Sequence, residues 1–415
     1  MNIAICHYSC PPVVGGVEII VGQQANLLKR DHHNVKVLAG KGGQFSPYIE
    51  TEINPMLSST NIHINELHEQ LKRTGDLEII EPDIRKMVEF LDSSLRLSDI
   101  LIAHNILTMP YNLPLTYAIH RFAAKGNIKV ISWNHDSPYF YEDYPDYINQ
   151  GPWLILKEKN PNICYVCISE SRKSYFGRLY GSNHDLDVIP NGIFPSDFFQ
   201  LGPTTIRLIN DEGLFDADLI IIQPSRLHPR KNIELSIKVI KAIKEKGINA
   251  VLLLTGAHDP HERSFIEYYS KLKNLSTQER VADNIIFITE YISKNQHHLS
   301  VDRNILKDLY LISDILFMPS TQEGFGIPLL EAGILKLPIV CSNIPPFREI
   351  CNGDACIFDL KDTPEEIADK VIDLSKSHVL SMYKKAIREY NWDLIYQKRF
   401  LPLLKTLTMS VKNSR

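Results

Sequence analysis

Short apolar runs alternate along the chain with longer stretches in which apolar residues recur at helical spacing. The runs at 2–8, 34–39, 100–104, 163–168, 187–189, 219–223, 250–254, 285–289, 315–318 and 339–342 are rich in Ile, Val and Leu and bounded by polar or turn residues. They predict strands buried on both faces, as in parallel sheets. A further strand is predicted at 62–67. Between them, Val17, Ile20, Val21, Ala25 and Leu28 fall on one helical face, and helices are also expected at 84–95, 169–179 and 233–244. The rhythm predicts an α/β protein whose parallel sheets are covered by helices. At 415 residues the chain exceeds what one core organises, so two domains are expected.

Composition narrows the class. With 44% hydrophobic and 23% charged residues the chain reads as an ordinary globular protein. A net charge of −4 argues against a nucleic-acid partner, which would call for a basic excess. The first residues lack a basic lead and cleavage site, and polar residues interrupt every apolar run, so a cytoplasmic location is expected. Seven scattered cysteines suggest reduced packing residues. Cys164 and Cys167 lie in one predicted strand and point to opposite faces, which disfavours a shared metal or disulfide.

Ligands of parallel sheets bind beyond the carboxyl ends of the strands, so polar residues there are the candidates for chemistry. Strand 315–318 runs into the loop 321–326, and Pro328 marks a helix start. Such a start holds phosphate or carboxylate if small residues permit approach, as Gly324 and Gly326 do. Glu323 falls in this loop, and Glu331 is expected in the first helical turn. A glycine turn with a solvated Glu323 and a dipole-favoured Glu331 is the plainer reading of this stretch alone. Strand 219–223 leads to Arg226, Arg230 and Lys231, cations suited to a leaving diphosphate or simply solvated. The first strand leads to Gly15 and Gly16 without the Gly-x-Gly-x-x-Gly dinucleotide fingerprint. His104 and His135 sit at strand ends. The aromatic, acidic segment 139–147 reads as a partly buried loop that is also suited to a polyhydroxylated acceptor.

The stretch Glu-Gly-Phe-Gly-Ile-Pro-Leu-Leu-Glu-Ala from Glu323 resembles the Glu-x7-Glu motif of the retaining glycosyltransferases of family 4. Arg226-Leu-x-x-x-Lys231 is similar to that family's phosphate motif, and Val188-Ile-Pro-Asn-Gly-Ile193 to its linker. The resemblance implies a GT-B fold: two Rossmann-like domains with an interdomain cleft, at 1–192 on the acceptor side and 193–390 on the nucleotide-sugar side. It implies a helix at 391–415 that crosses back to the first domain. It implies hexosyl transfer, with retention, from a UDP- or GDP-linked sugar to an acceptor hydroxyl. His135 and Glu323 would be catalytic, contacting the donor sugar. Gly15, Gly16, Arg226, Lys231, Gly324, Phe325, Gly326, Ile327 and Glu331 would bind the donor, with Glu331 on the ribose. Pro346 and Glu349 match a structural or near-site pair.

No cofactor and no essential metal are expected. The pairs Asp185/Asp187 and Asp216/Asp218 look like Asp-x-Asp metal motifs but precede their strands. The expected acceptor is a sugar, a lipid-linked molecule or a small molecule. Lys29, Arg30, His32 and His33 would permit peripheral membrane contact, although a solvated helix end is the commoner meaning. The alternatives are a nucleotide-sugar epimerase of the same architecture, a phosphorylase, and a non-catalytic sugar- or nucleotide-binding protein.

Overall fold

A computed structural model describes residues 1–141, 144–256, 263–296 and 301–412. The chain forms two units. One comprises Met1–Gly192 and the closing segment from Trp392, and the other is Ile193–Asn391.

The first unit is built on a parallel sheet of β1 (Asn2–Ser9), β2 (Asn34–Lys41), β3 (Glu50–Ile53), β4 (Ile100–His104), β5 (Lys129–Asn134), β6 (Ile163–Cys167) and β7 (Leu186–Val188). Their spatial order is β3-β2-β1-β4-β5-β6-β7. β1 pairs in parallel with both β2 and β4, so the order reverses direction beside it. Its interior residues are buried, as the apolar run requires. β3, an edge strand of sequence Glu-Thr-Glu-Ile, has no apolar run to announce it. Charge on an edge strand discourages pairing with other chains.

The strand predicted at 62–67 is instead the start of helix Ile62–Thr74. Ile62-His63-Ile64 alternates like a strand, but Ile64, Leu67 and Leu71 form the buried helical face. Asn61 accepts a hydrogen bond from the Ile64 N–H at the start, and Gly75 at φ 66° ends the helix. Local capping and spacing decide the element here, not the first alternation.

The closing segment belongs to the first unit. A helical turn Trp392–Ile395 runs through a widened π turn, Tyr396–Phe400, into helix Leu401–Lys412. Trp392 is fully buried, and its indole N–H donates to Gln23 Oε1 at 2.7 Å. Tyr396 donates to Asp31 Oδ2 at 2.6 Å, and Phe400 packs edge-on against Trp133 at 4.9 Å. Arg30, one of the cations considered for membrane contact, is paired with Asp393. No helix among the described residues is long and apolar enough to cross a membrane.

The second unit repeats the plan with β8 (Leu219–Gln223), β9 (Ala250–Leu254), β10 (Ile285–Phe287), β11 (Ile315–Met318), β12 (Ile339–Ser342) and β13 (Cys356–Phe358). The order is β10-β9-β8-β11-β12-β13, again parallel, with the reversal beside β8. Every residue of β8, β9 and β11 is buried. β10 stops at Phe287, and the predicted strand's remaining residues open helix Ile288–Gln296.

Asp314, fully buried at the foot of β11, clamps this sheet. Its Oδ2 accepts from the Ile220 N–H at 2.7 Å and from Arg388 at 2.9 Å, while Arg388 also donates to the Ala217 carbonyl. Removing one member of a buried ion pair leaves the other charge desolvated and unpaired. Asp314→Ala should therefore cost about 3–5 kcal/mol, read as a fall in the urea midpoint of the least stable transition.

Candidate active site

Both units place their polar residues at the reversal of strand order, where the loops after two adjacent strands part and leave a crevice. In the second unit these loops follow β8 and β11. Gln223 ends β8 fully buried; its Nε2 donates to the Lys231 carbonyl at 2.9 Å and its Oε1 accepts from Ser236 at 2.6 Å. The loop after β8 is thereby pinned, with Lys231 in a short 3-10 turn, Pro229–Lys231, that Asn232 closes at φ 52°. The loop after β11 is tied to it, because the Thr321 N–H donates to the Arg230 carbonyl at 2.8 Å. From the other side Ser342 at the end of β12 donates to the Ser320 carbonyl at 2.5 Å.

These ties bring Lys231 and Glu323 together as an ion pair, with side chains only 13% and 11% exposed. Ser320 donates a further hydrogen bond to Glu323 Oε1 at 2.8 Å. Arg226 is exposed on the same loop as Lys231, and no carboxylate of the described residues pairs with it. Gly324 is open, with nothing within 4 Å of where a Cβ would stand. Gly326 holds φ 134° at the start of helix Ile327–Ile334, a conformation side chains disfavour. A Cβ there would also press at 3.2 Å on Leu329, Phe347 and Ile350. Helix Pro345–Cys351, which carries Pro346 and Glu349, is therefore a packing partner of the glycine loop. Phe325 and Ile327 are exposed.

Glu331 differs from expectation in one respect. It is the fifth residue of helix Ile327–Ile334, so it lies beyond the first turn, which carries no acid. The helix starts one residue before Pro328, and this moves Glu331 further in. Its Oε2 accepts from Tyr310 at 2.8 Å, and burial together with this carboxylate pushes the Tyr310 hydroxyl pKa up. The N-terminal end of the helix is thus free of acidic side chains, which suits an anion.

Beyond the single glycine that follows β9, residues 257–262 lie outside the described residues. Gly256 is needed for packing: a Cβ there would fall 2.7 Å from Leu227 Cγ in the Arg226 loop. In the aromatic segment, Glu142 and Asp143 also lie outside the described residues. The rest of that segment mostly packs, with Tyr147 edge-on to Trp153 at 5.0 Å and Tyr141 donating to Asp136 at 2.7 Å.

In the first unit the crevice lies between the loops after β1 and β4. It contains a cavity of about 430 Å³ lined by residues that include His7, Gly16, Glu18, Asn105, Tyr111, His135 and Asn191. His135 is 8% exposed, and its Nε2 lies 3.1 Å from His104 Nδ1. His104 in turn meets Gln24 Oε1 through Nε2 at 3.1 Å and stacks on Trp133 at 5.7 Å. Gln24 Oε1 can only accept, so the His104 proton sits on Nε2 and its Nδ1 accepts from His135 Nε2–H. Burial holds both imidazoles neutral, with the His135 pKa lowered to about 3 and that of His104 well below its usual value. The Asn105 side-chain oxygen accepts from the N–H groups of His135 and Asp136 at 3.1 and 2.9 Å, fixing the β5 loop.

His7, Gln24, Asn105 and Glu18 line or brace this candidate site, and the sequence did not single them out. His7 carries the same signal as His104 and His135, a polar side chain near the carboxyl end of a strand. The first-unit glycines also separate from one another. A Cβ on Gly15 would stand 2.1 Å from Glu18 Oε2, so the carboxylate of Glu18 lies over Gly15, whereas Gly16 is open.

Neither Asp-x-Asp pair stands in a crevice. Asp185 pairs with Lys159 at 2.9 Å, and Asp218 accepts from the Asn249 N–H at 2.9 Å. Among the described residues, no group of three or more His, Cys, Asp or Glu is placed to hold a metal. Every one of the seven cysteines is free.

Comparison with known proteins agrees with this layout. Residues 14–197 match the model of Glycosyltransferase Family 4, and residues 205–391 match that of Glycosyl transferases group 1. The mannosylglucosylglycerate synthase of Petrotoga mobilis is 25% identical over 84% of this chain and 84% of its own. An uncharacterised glycosyltransferase of Methanocaldococcus jannaschii is 28% identical over 95% of this chain and 96% of its own. The O-antigen biosynthesis glycosyltransferase WclY of Escherichia coli is 37% identical over 57% of this chain and 56% of its own. With two Rossmann-like units of the GT-B type, each matched by its own family model, the chain belongs to the family 4 glycosyltransferases and is a hexosyltransferase.

Proposed function

We propose that the chain moves a hexosyl group from a nucleoside diphosphate sugar to an acceptor hydroxyl with retention of anomeric configuration. The observation that carries the donor half is the second-unit crevice, where Lys231, on a loop that also bears Arg226, pairs with Glu323 ahead of an acid-free helix start. Departure of the nucleoside diphosphate loads charge onto its β-phosphate, and cations fixed in advance stabilise that charge without reorganisation. Arg226 offers a planar fork and Lys231 a point charge. Gly324 and Gly326 let a phosphate reach the backbone N–H groups ahead of Ile327. Phe325 and Ile327, exposed beside them, give the donor an apolar edge.

Glu323 is tethered by Lys231 and Ser320 and serves the transferred sugar. Glu331, oriented by Tyr310, takes the ribose hydroxyls. His135, neutral at working pH, accepts a hydrogen bond from a sugar hydroxyl; this role and retention rest on the family resemblance. A front-face route, in which the leaving phosphate accepts the acceptor's proton, needs no enzymic base and no metal. The electrostatics of Arg226, Lys231 and the helix start support that reading. The acceptor is a polyhydroxylated molecule, free or lipid-linked.

Calorimetric titration with UDP and GDP, without added metal, tests the donor site. One nucleotide should bind the wild type, and Arg226→Ala/Lys231→Ala should weaken it at least tenfold. A folded protein that binds neither nucleotide would overturn the assignment. In a donor turnover assay, Glu323→Gln should lower kcat by about 10²–10³ while leaving nucleotide affinity within a few-fold. Unchanged turnover would remove Glu323 from the chemistry, and conversion of the donor to an epimer without acceptor would replace transfer by epimerisation.

A further inference from the structure

The two helix starts have opposite electrostatic characters. In the second unit the start of helix Ile327–Ile334 carries no acid and lies beside a loop bearing Lys231 and Arg226. In the first unit helix Gly16–Arg30 begins at the glycine pair with Glu18 in its first turn, so its positive end is already offset by a carboxylate. Glu18 is held there: Ser9 donates to its Oε1 at 2.5 Å, and its Oε2 lies over Gly15. His7 Nε2 stands 3.9 Å from Glu18 Oε1, while His7 Nδ1 meets the His104 carbonyl at 2.8 Å. A carbonyl only accepts, so the His7 proton is on Nδ1 and Nε2 is left as an acceptor.

Beside the hydroxyls of Ser59 and Tyr111 and the side-chain amides of Asn105 and Asn191, the walls of the cavity carry a carboxylate and several acceptors. Glu18 brings a carboxylate and His7 an unprotonated Nε2. His135, whose Nε2–H is spent on His104, retains only an accepting Nδ1. Asn191 Oδ1 is buried and has no hydrogen-bond partner among the described residues. Burial lowers the pKa values of His7 and His135, so neither adds a cation at neutral pH. Among the described residues that line the cavity there is no Lys or Arg. Hydroxyl groups complement such a wall, because each brings a proton to donate. Phosphate or carboxylate brings only acceptors and a like charge.

We infer that Glu18, positioned by Ser9 and Gly15, makes the first-unit cavity an acceptor subsite selective for uncharged polyols, with Glu18 and His7 receiving hydrogen bonds from the acceptor's hydroxyls. This rests on the transferase reading and specifies its acceptor class. Glu18 acts as a specificity residue, not as the means of bond cleavage. The glycine pair thereby serves different ends: Gly15 makes room for the Glu18 carboxylate, and Gly16 leaves the cavity open.

The test uses the full chain, with UDP- and GDP-linked glucose, galactose and mannose as donors. Acceptors are methyl α-glycosides of glucose, galactose and mannose, each paired with its 6-phosphate. The wild type should use a neutral glycoside with kcat/KM at least about 100-fold above its phosphate, the size expected for like charges a few ångströms apart at a protein surface. Glu18→Gln keeps the shape and the Ser9 contact, and should cut that ratio to about tenfold or less, raise KM for the neutral acceptor and leave donor KM unchanged. Gly15→Ala, which leaves the extended backbone at φ −172° unstrained but intrudes on Glu18, should shift the ratio in the same direction. Glu18→Asp should recover part of the discrimination, which a purely structural role would not do.

Equal use of phosphorylated acceptors by the wild type, or a ratio unmoved in Glu18→Gln, would overturn the inference. Saturation-transfer NMR with the same glycoside pairs reads the cavity independently of turnover. If no donor is consumed and neither nucleotide binds, the transferase reading fails, and selective contact with the neutral glycosides still supports the subsite. Contact with none of them, or with the phosphates equally, overturns it.

Discussion

The parallel pairing of β1 with β4 and of β8 with β11 is the constraint on which both crevices depend. A strand with neighbours reached by crossovers in opposite directions sends its following loop away from the loop of the neighbouring strand. Polar side chains that would be costly within either sheet find space there. Lys231 and Glu323 meet because β8 and β11 are neighbours, although 92 residues separate them in sequence. His7 and the His104 carbonyl meet because β1 and β4 are neighbours. The apolar runs do the remote work: they bury the strands on both faces and so fix which loops stand side by side.

Around each crevice several polar groups at the strand ends are tied to the loops that follow. Gln223 is held between Ser236 and the Lys231 carbonyl, and Asn105 holds the N–H groups of His135 and Asp136. A buried polar side chain without partners would cost more than it returns, so these networks specify one loop geometry. The loops that carry Lys231 and Glu323 are thereby held in place. Lys231 and Glu323, each mostly buried, compensate one another's charge.

The closing segment stabilises the first unit by a different means. Trp392, Tyr396 and Phe400 insert large side chains beside helix Gly16–Arg30 and Trp133. Their apolar bodies are buried, while the indole N–H and phenol O–H find Gln23 and Asp31, as aromatic groups with a polar end require. The π turn at Tyr396–Phe400 adds a residue to one helical turn. By contrast, Asp314 and Arg388 brace the second unit through charge, each of them tied also to backbone near β8.

The sequence by itself determined most of the strands, the α/β class and the glycine loop that carries Glu323 and Glu331. Apolar runs have the right length only for buried strands, and the spacing of Glu323, Gly324, Gly326 and Glu331 lies within one strand-loop-helix unit, so a local reading suffices. It misjudged 62–67, where two periods overlap at first and capping by Asn61 decides. It passed over β3, a polar edge strand held only by pairing with β2. It placed the helix start one residue late and so Glu331 in the first turn, since a helix start is set by backbone hydrogen bonds that composition does not show. Only the tertiary structure decided that Glu18 covers Gly15, that His7 joins His135 at one cavity, and that the two glycine-bearing helix starts carry opposite electrostatic character. Those facts depend on which side chain fills a given space and which proton sits on which nitrogen. Packing of residues far apart in the chain settles both.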